Sequence, residues 1–270
     1  MHVRPLCARV ARATPYTSGP TSTSGRFAGL AVCAVIIGLA SSGAFAEQLN
    51  LTLGGSGSFN GADFVSDLSQ AAGTGFLASF VRIQRTGTEQ GYNTSGRPVP
   101  FDEKTDPNHT HDLQLGQIPI VGDCYEFILD IAEPNSFPDS LLSLDDIQIY
   151  TSPVPSQTTT DIASLGIKRY DMDFGASGED NHILLDHDFA EGSGKADMKA
   201  LIPVSYFAGA SPSDFVYLYS RFGLQAGAEA GSDSADGFEE WAIVPEPASA
   251  ALALAGLLCW SLGHRYRRAR

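Results

Sequence analysis

CYEFILDI, Cys124–Ile131, and LSLDDIQIY, residues 142–150, decide the fold. Both alternate apolar and polar side chains with period two, at least in part, as half-buried β-strands do. The same pattern recurs in FLASFVRIQR (76–85), DLQLGQIPI (112–120), IKRYDMDF (167–174), DFVYLYSRF (214–222) and GFEEWAIV (237–244). Turn-rich pieces such as TGTEQGYNTSGRP, AEPNSFPDS, GASGED and AGASPS separate these runs. No stretch of the middle holds a helical period for three clean turns. ADFVSDLSQAA (62–72) is the best short helix candidate. Seven or more short strands with regular turns predict an all-β chain, a single jelly-roll-like β-sandwich. SPVPSQTTT (152–160) reads as a long loop within that unit.

The chain of 270 residues has a formal net charge of −14, unevenly spread. Residues 1–46 carry Arg4, Arg9, Arg12 and Arg26 and no acid, and residues 245–270 carry four arginines against Glu246. Nine basic side chains then face thirty acidic ones over 47–244, a charge near −21. Such a surface repels phosphate backbones, so nucleic acid is not an expected partner. It suits divalent cations or simple solubility. Cys7 and Cys33 precede residue 47 and Cys259 lies near the C-terminus. Cys124 is thus alone in the middle, where the alternating pattern predicts a buried structural thiol.

The two ends read as addresses. In GRFAGLAVCAVIIGLASSGAFAEQLN an apolar stretch, Phe27 to Ala40, follows basic residues. Small residues ending in Ala44-Phe45-Ala46 come next, the layout of a secretory signal peptide over 1–46. Cleavage would leave Glu47 first. At the other end, Ala248 to Gly263 is apolar or small, about 16 residues against the roughly 17–25 that span a bilayer. Trp260 and Arg265, Arg267, Arg268 and Arg270 extend it to an interface, with the basic residues expected on the cytoplasmic side. The expectation is a transmembrane helix anchoring an exported domain.

Pro245-Glu246-Pro247, the apolar segment and the arginine tail, in that order, resemble the PEP-CTERM sorting signal of exported bacterial proteins. The resemblance implies a chain in three parts: signal peptide 1–46, acidic β-domain 47–244 and sorting signal 245–270. It also implies processing by signal peptidase and by an exosortase that cuts near the motif, and delivery to the cell surface or matrix. Such proteins accompany extracellular polysaccharide. The prolines keep the motif extended for a protease. TGTEQGYNT, EFILDIAEP, LSLDDIQIY, FVYLYSRFG and GFEEW resemble a recurrent body of such proteins, one with no assigned chemistry.

Within the middle, Asp171 and Asp173 in YDMDFGASGEDN, with Asp186 and Asp188 in LLDHDFAEGSGKAD, are candidate Ca2+ ligands. A calcium ion takes six to eight oxygens, often from alternate residues. The EF-hand pattern fails from Asp171, because its fifth, sixth and twelfth positions hold Gly175, Ala176 and His182. His109 with His111, and His182 with His187, form two loose pairs short of the three or four ligands that zinc needs. Glu239 with Glu240, and Glu126 with Asp130, are the carboxylates nearest aromatic residues that could serve glycoside cleavage. No G-x-S-x-G, H-E-x-x-H or P-loop is present. Tyr92, Tyr217, Tyr219 and Trp241 could stack on sugar. The sequence therefore points to a non-enzymatic surface protein with no catalytic residues and no resident cofactor beyond candidate Ca2+. Polysaccharide is its other candidate ligand. A secreted glycan hydrolase with paired carboxylates is the competing reading.

Overall fold

A computed structural model describes residues 47–66, 77–173, 180–190, 196–224, 231–235 and 237–244. The expected signal peptide, the PEP motif, the apolar segment and the arginine tail lie outside these. Among the described residues no helix is long and apolar enough to cross a membrane.

Among the described residues the fold is all-β, with fourteen strands in two sheets and a few short 3-10 turns. The first sheet holds β1 (Gln48–Asn50), β5 (Glu89–Tyr92), β6 (Leu113–Gln114), β9 (Leu141–Ser152), β10 (Ile167–Asp171), β11 (His182–Asp186) and β13 (Phe215–Phe222). The second holds β2 (Ser56–Phe59), β3 (Ala62–Ser66), β4 (Ala78–Ile83), β7 (Ile120–Val121), β8 (Cys124–Ile131), β12 (Met198–Pro203) and β14 (Glu239–Ile243).

The two quoted stretches are the spines. The long β9 pairs with β13 along one edge, while β11 and β10 share the other edge end to end. In the second sheet β8 pairs with β12 on one side and with β7 and β14 on the other. All these pairings are antiparallel; β1 runs parallel to β11 at the margin of the first sheet.

The main core lies between the sheets. Tyr125, Phe127, Leu129 and Ile131 of β8, with Trp241 of β14, meet Leu144, Ile147 and Ile149 of β9 and Val216 and Leu218 of β13. The alternate residues of β8 and β9 are also covered, so both strands are buried on both faces. That corrects the half-buried expectation. Outside the first sheet, Tyr92, Tyr150, Leu165, Tyr217 and Tyr219 form a second apolar cluster, with Phe101 and Ile162 packed on it. The 153–166 loop lies over this cluster. Its carbonyls accept Tyr92 Oη at Thr159 (2.9 Å) and Tyr217 Oη at Val154 (2.7 Å).

Three local readings change. Residues 62–66 form β3 rather than a helix, and 67–72 lie outside the described residues. The 112–120 run breaks into β6, a 3-10 turn at Leu115–Gln117 and β7, because Gly116 packs on the Pro212 carbonyl and donates to it at 2.8 Å. Cys124 is fully buried, but in a disulfide whose partner lies outside the described residues. The expectation of a lone thiol assumed that the middle has no cysteine within reach.

Candidate functional site

A groove opens where β10 of the first sheet passes the tip of the β2–β3 hairpin and the 3-10 turn Val204–Phe207 of the second. Asn60, Lys168, Arg169, Tyr170, Asp171 and Tyr206 line a cavity of about 290 Å³. The hairpin is closed by Asn60 and Gly61 alone, with φ of 44° and 78°. Positive φ at both central residues is what a two-residue type I′ turn requires, and Asn-Gly supplies it.

Hydrogen bonds lock the turn to its surroundings. Tyr206 Oη donates to the Asn60 carbonyl at 2.7 Å, and Tyr170 Oη donates to that of Phe59 at 2.9 Å. Asn60 Nδ2 donates to the Asp171 carbonyl at 2.9 Å, joining the two sheets. The Tyr170 and Tyr206 rings meet edge to face, 6.1 Å apart. Burial pushes the Tyr170 phenol far above its ordinary range, so it stays neutral. Lys168 Nζ pairs with Asp171 Oδ2 at 2.6 Å. Burial works against its charge, but the Asp171 carboxylate outweighs it and raises the ammonium pKa. Arg169 donates from Nε to Thr151 Oγ1 at 2.6 Å and from Nη1 to the Ala208 carbonyl at 3.0 Å.

The four candidate calcium ligands divide between two places. Asp171 and Asp173 lie at the end of β10, where the Asp171 carboxylate accepts the Asp173 N–H at 3.0 Å. Asp186 and Asp188 lie in and after β11, joined by the same short-range bond at 3.0 Å. Among the described residues no group of three or more His, Cys, Asp or Glu is placed to hold a metal ion. Each pair does sit in an acidic neighbourhood. Burial, with Asp146, Asp171 and Asp180 nearby, lifts Asp173 to about 7. Burial, with Asp130 and Asp186 nearby, lifts Asp197 to about 8. Asp145 and Asp146 are pushed up by burial to about 6.

The histidines are absorbed by structure. His111 faces the Asp112 carbonyl at 2.8 Å and that of Ser79 at 3.0 Å, and His187 the Ile131 carbonyl at 2.8 Å. His109 lies between Asp106 and Glu240, and His182 is buried.

Glu239 and Glu240 are neighbours on β14 and point to opposite faces. Glu240 holds Arg82 through Nε and Nη2. Glu239 is fully buried, with neither carboxylate oxygen hydrogen bonded. Glu126 lies 3.6 Å from Lys199, and Asp130 is buried. The proposed sugar-stacking aromatics are interior. Tyr92, Tyr217 and Trp241 are fully buried, Tyr219 is 3 % exposed, and Trp241 Nε1 donates to Ser220 Oγ at 3.0 Å. Both faces of β13 are core, so a tyrosine stripe that alternates with an apolar face is not thereby exposed.

Of the groove residues, sequence reading singled out Asp171 as a ligand and passed over Asn60, Arg169 and Tyr206. The signal for the groove was Phe59-Asn60-Gly61-Ala62, a hairpin turn just ahead of the supposed helix. No protein-family model, curated protein or solved structure matches this chain.

Proposed function

We propose that this is an exported, non-enzymatic protein of the cell surface or extracellular matrix, delivered by a signal peptide and processed by an exosortase at a PEP-CTERM tail. The observation that carries the reading is the tie of Glu47 into the first sheet. Among the described residues the first strand is β1, from Gln48, and the last is β14, to Ile243. Glu47 is the residue that cleavage would make first. Its N–H already donates to Asn181 Oδ1 at 3.2 Å, and its carbonyl accepts the His182 N–H at 3.0 Å. On this reading the cut at Ala44-Phe45-Ala46 and the cut near Pro245-Glu246-Pro247 free residues 47–244 from the two flanking segments. On this reading the unit is a jelly-roll-like sandwich, since the chain crosses between the sheets at β1–β2, β4–β5, β6–β7, β8–β9, β11–β12, β12–β13 and β13–β14. Arg265, Arg267, Arg268 and Arg270 would hold the precursor in the membrane until it is cut.

Polysaccharide is the ligand class that the groove favours, through a tyrosine ring bordered by amide, ammonium, guanidinium and carboxylate groups. Calcium is the second candidate, through Asp171 and Asp173 or Asp186 and Asp188 beside their raised-pKa neighbours. Replacing Pro245, Glu246 and Pro247 by alanine tests the sorting claim in the host. The variant should accumulate in the membrane fraction while wild type reaches the surface or medium. Unchanged distribution would defeat it. Calorimetry with CaCl2 tests the second ligand: no heat and no change in melting temperature would remove it.

A further inference from the structure

We propose that the groove between β10 and the Asn60–Gly61 turn binds one uronic acid unit of a polysaccharide, with the sugar carboxylate on Nη2 of Arg169 and the ring against Tyr206. The inference rests on the polysaccharide-binding reading given above and adds the class of sugar and the residues that select it.

Among the described residues Arg169, Lys104 and Arg221 are cations that no carboxylate pairs, and of these Arg169 lines the groove. Arg82, Arg85, Lys168 and Lys199 each face a carboxylate, from Glu240, Asp102, Asp171 and Glu126 respectively. Arg97 spends its guanidinium on the backbone carbonyls of Thr94, Gly96, Thr105 and Thr110. Arg169 is held by two neutral acceptors only, Thr151 Oγ1 and the Ala208 carbonyl. Its Nη2 makes no hydrogen bond among the described residues, and the residue lines the open groove. A guanidinium fixed by two of its nitrogens keeps its planar fork oriented, so a ligand need not order it. An unpaired positive charge in a half-buried wall is best met by an anion. The surrounding field, near −21 over 47–244, opposes every anion, and a multiply charged one such as phosphate more than a single carboxylate.

The rest of the groove suits a sugar ring. Tyr206 is pinned by its hydroxyl to the Asn60 carbonyl, so its ring is a fixed platform. Asn60 has committed Nδ2 to the Asp171 carbonyl, which leaves Oδ1 to accept from a sugar hydroxyl. The volume of about 290 Å³ lies at the lower edge of ligand sites, roughly 300–1,000 Å³, enough for one ring.

The test uses the whole chain in detergent, with glucuronate, glucose and acetate as separate probes in saturation-transfer NMR titrations. Glucuronate should bind at least tenfold more tightly than either glucose or acetate. Arg169→Gln should weaken glucuronate at least tenfold and leave glucose unchanged. If that variant fails to fold, Asn60→Asp carries the test. It keeps a residue that tolerates positive φ, sets a carboxylate against the ligand, and should also cost glucuronate at least tenfold. The proposal is overturned if folded wild type shows no glucuronate signal, if glucose or acetate matches glucuronate, or if the folded variants bind as wild type does. Correct export and cleavage without uronate binding would sink this inference alone. Failed export with uronate binding intact would sink only the surface reading.

Discussion

Gly61 shows how one residue sets the groove. Its φ is 78°, and a Cβ there would stand 2.6 Å from Tyr206 Oη. Gly61→Ala is expected to cost about 1–2 kcal/mol, the penalty for a side chain in the left-handed region, and to loosen the Tyr206 platform. Urea denaturation measures it; a change below a few tenths would show that the turn does not constrain the ring. Asp197 makes the second case. It accepts the Ile131 N–H at 2.7 Å through Oδ2, yet burial holds its pKa at about 8. Asp173, Asp145 and Asp146 follow at about 7, 6 and 6. An unfolded aspartate titrates near 3.9, so from about pH 4 up to each folded pKa the native state keeps a proton that the unfolded state has released. Stability therefore falls as pH rises from about 4 to about 8 and levels off above. The melting temperature should be higher at pH 5 than at pH 8, and Asp197→Asn should flatten the upper part of that slope. A melting temperature that rises from pH 5 to pH 8 would contradict these raised pKa values.

Elements carry most of the stability, and they differ in how legible they were. β8 and β9 were plain in CYEFILDI and LSLDDIQIY, because period two survives where one face is apolar throughout. β11 and β12 were passed over. HILLD is an apolar run with almost no alternation, and MKALIP puts Lys199 where a buried strand seems unlicensed, although Lys199 reaches Glu126 at the sheet surface. Tyr217 and Tyr219 alternate correctly on β13, but a periodicity cannot reveal that a loop 63 residues away in sequence at Val154 will cover the polar-looking face. Tyr217→Phe should cost about 1 kcal/mol by releasing the 153–166 loop at the Val154 carbonyl. The groove itself was legible only through Asn60-Gly61. Arg169 gains its meaning from Thr151 and Ala208, partners that no local window contains. On β14, Glu239 places an unbonded carboxyl in the interior beside Trp241. Glu239→Met should raise stability by about 1–3 kcal/mol, the usual burden of a buried unsatisfied polar group. A fall in stability would mean that the carboxyl has a partner that matters to the fold.

At the scale of the whole molecule, a strongly acidic two-sheet domain lies between two segments that read as addresses, and its described strands run from Gln48 to Ile243. The account stands on those segments being removed. Cys124 sharpens the question. It is in a disulfide, and the other cysteines, Cys7, Cys33 and Cys259, all belong to the segments that processing would take away. The decisive measurement is the intact mass of the protein recovered from its native host, taken fraction by fraction with and without reductant. The account predicts, in the reduced sample, a surface or medium species that begins at Glu47 and ends between Val244 and Pro247, with a terminal segment bridged to Cys124 adding only to the non-reduced mass. A membrane species that still retains Arg265 to Arg270 after reduction would contradict it.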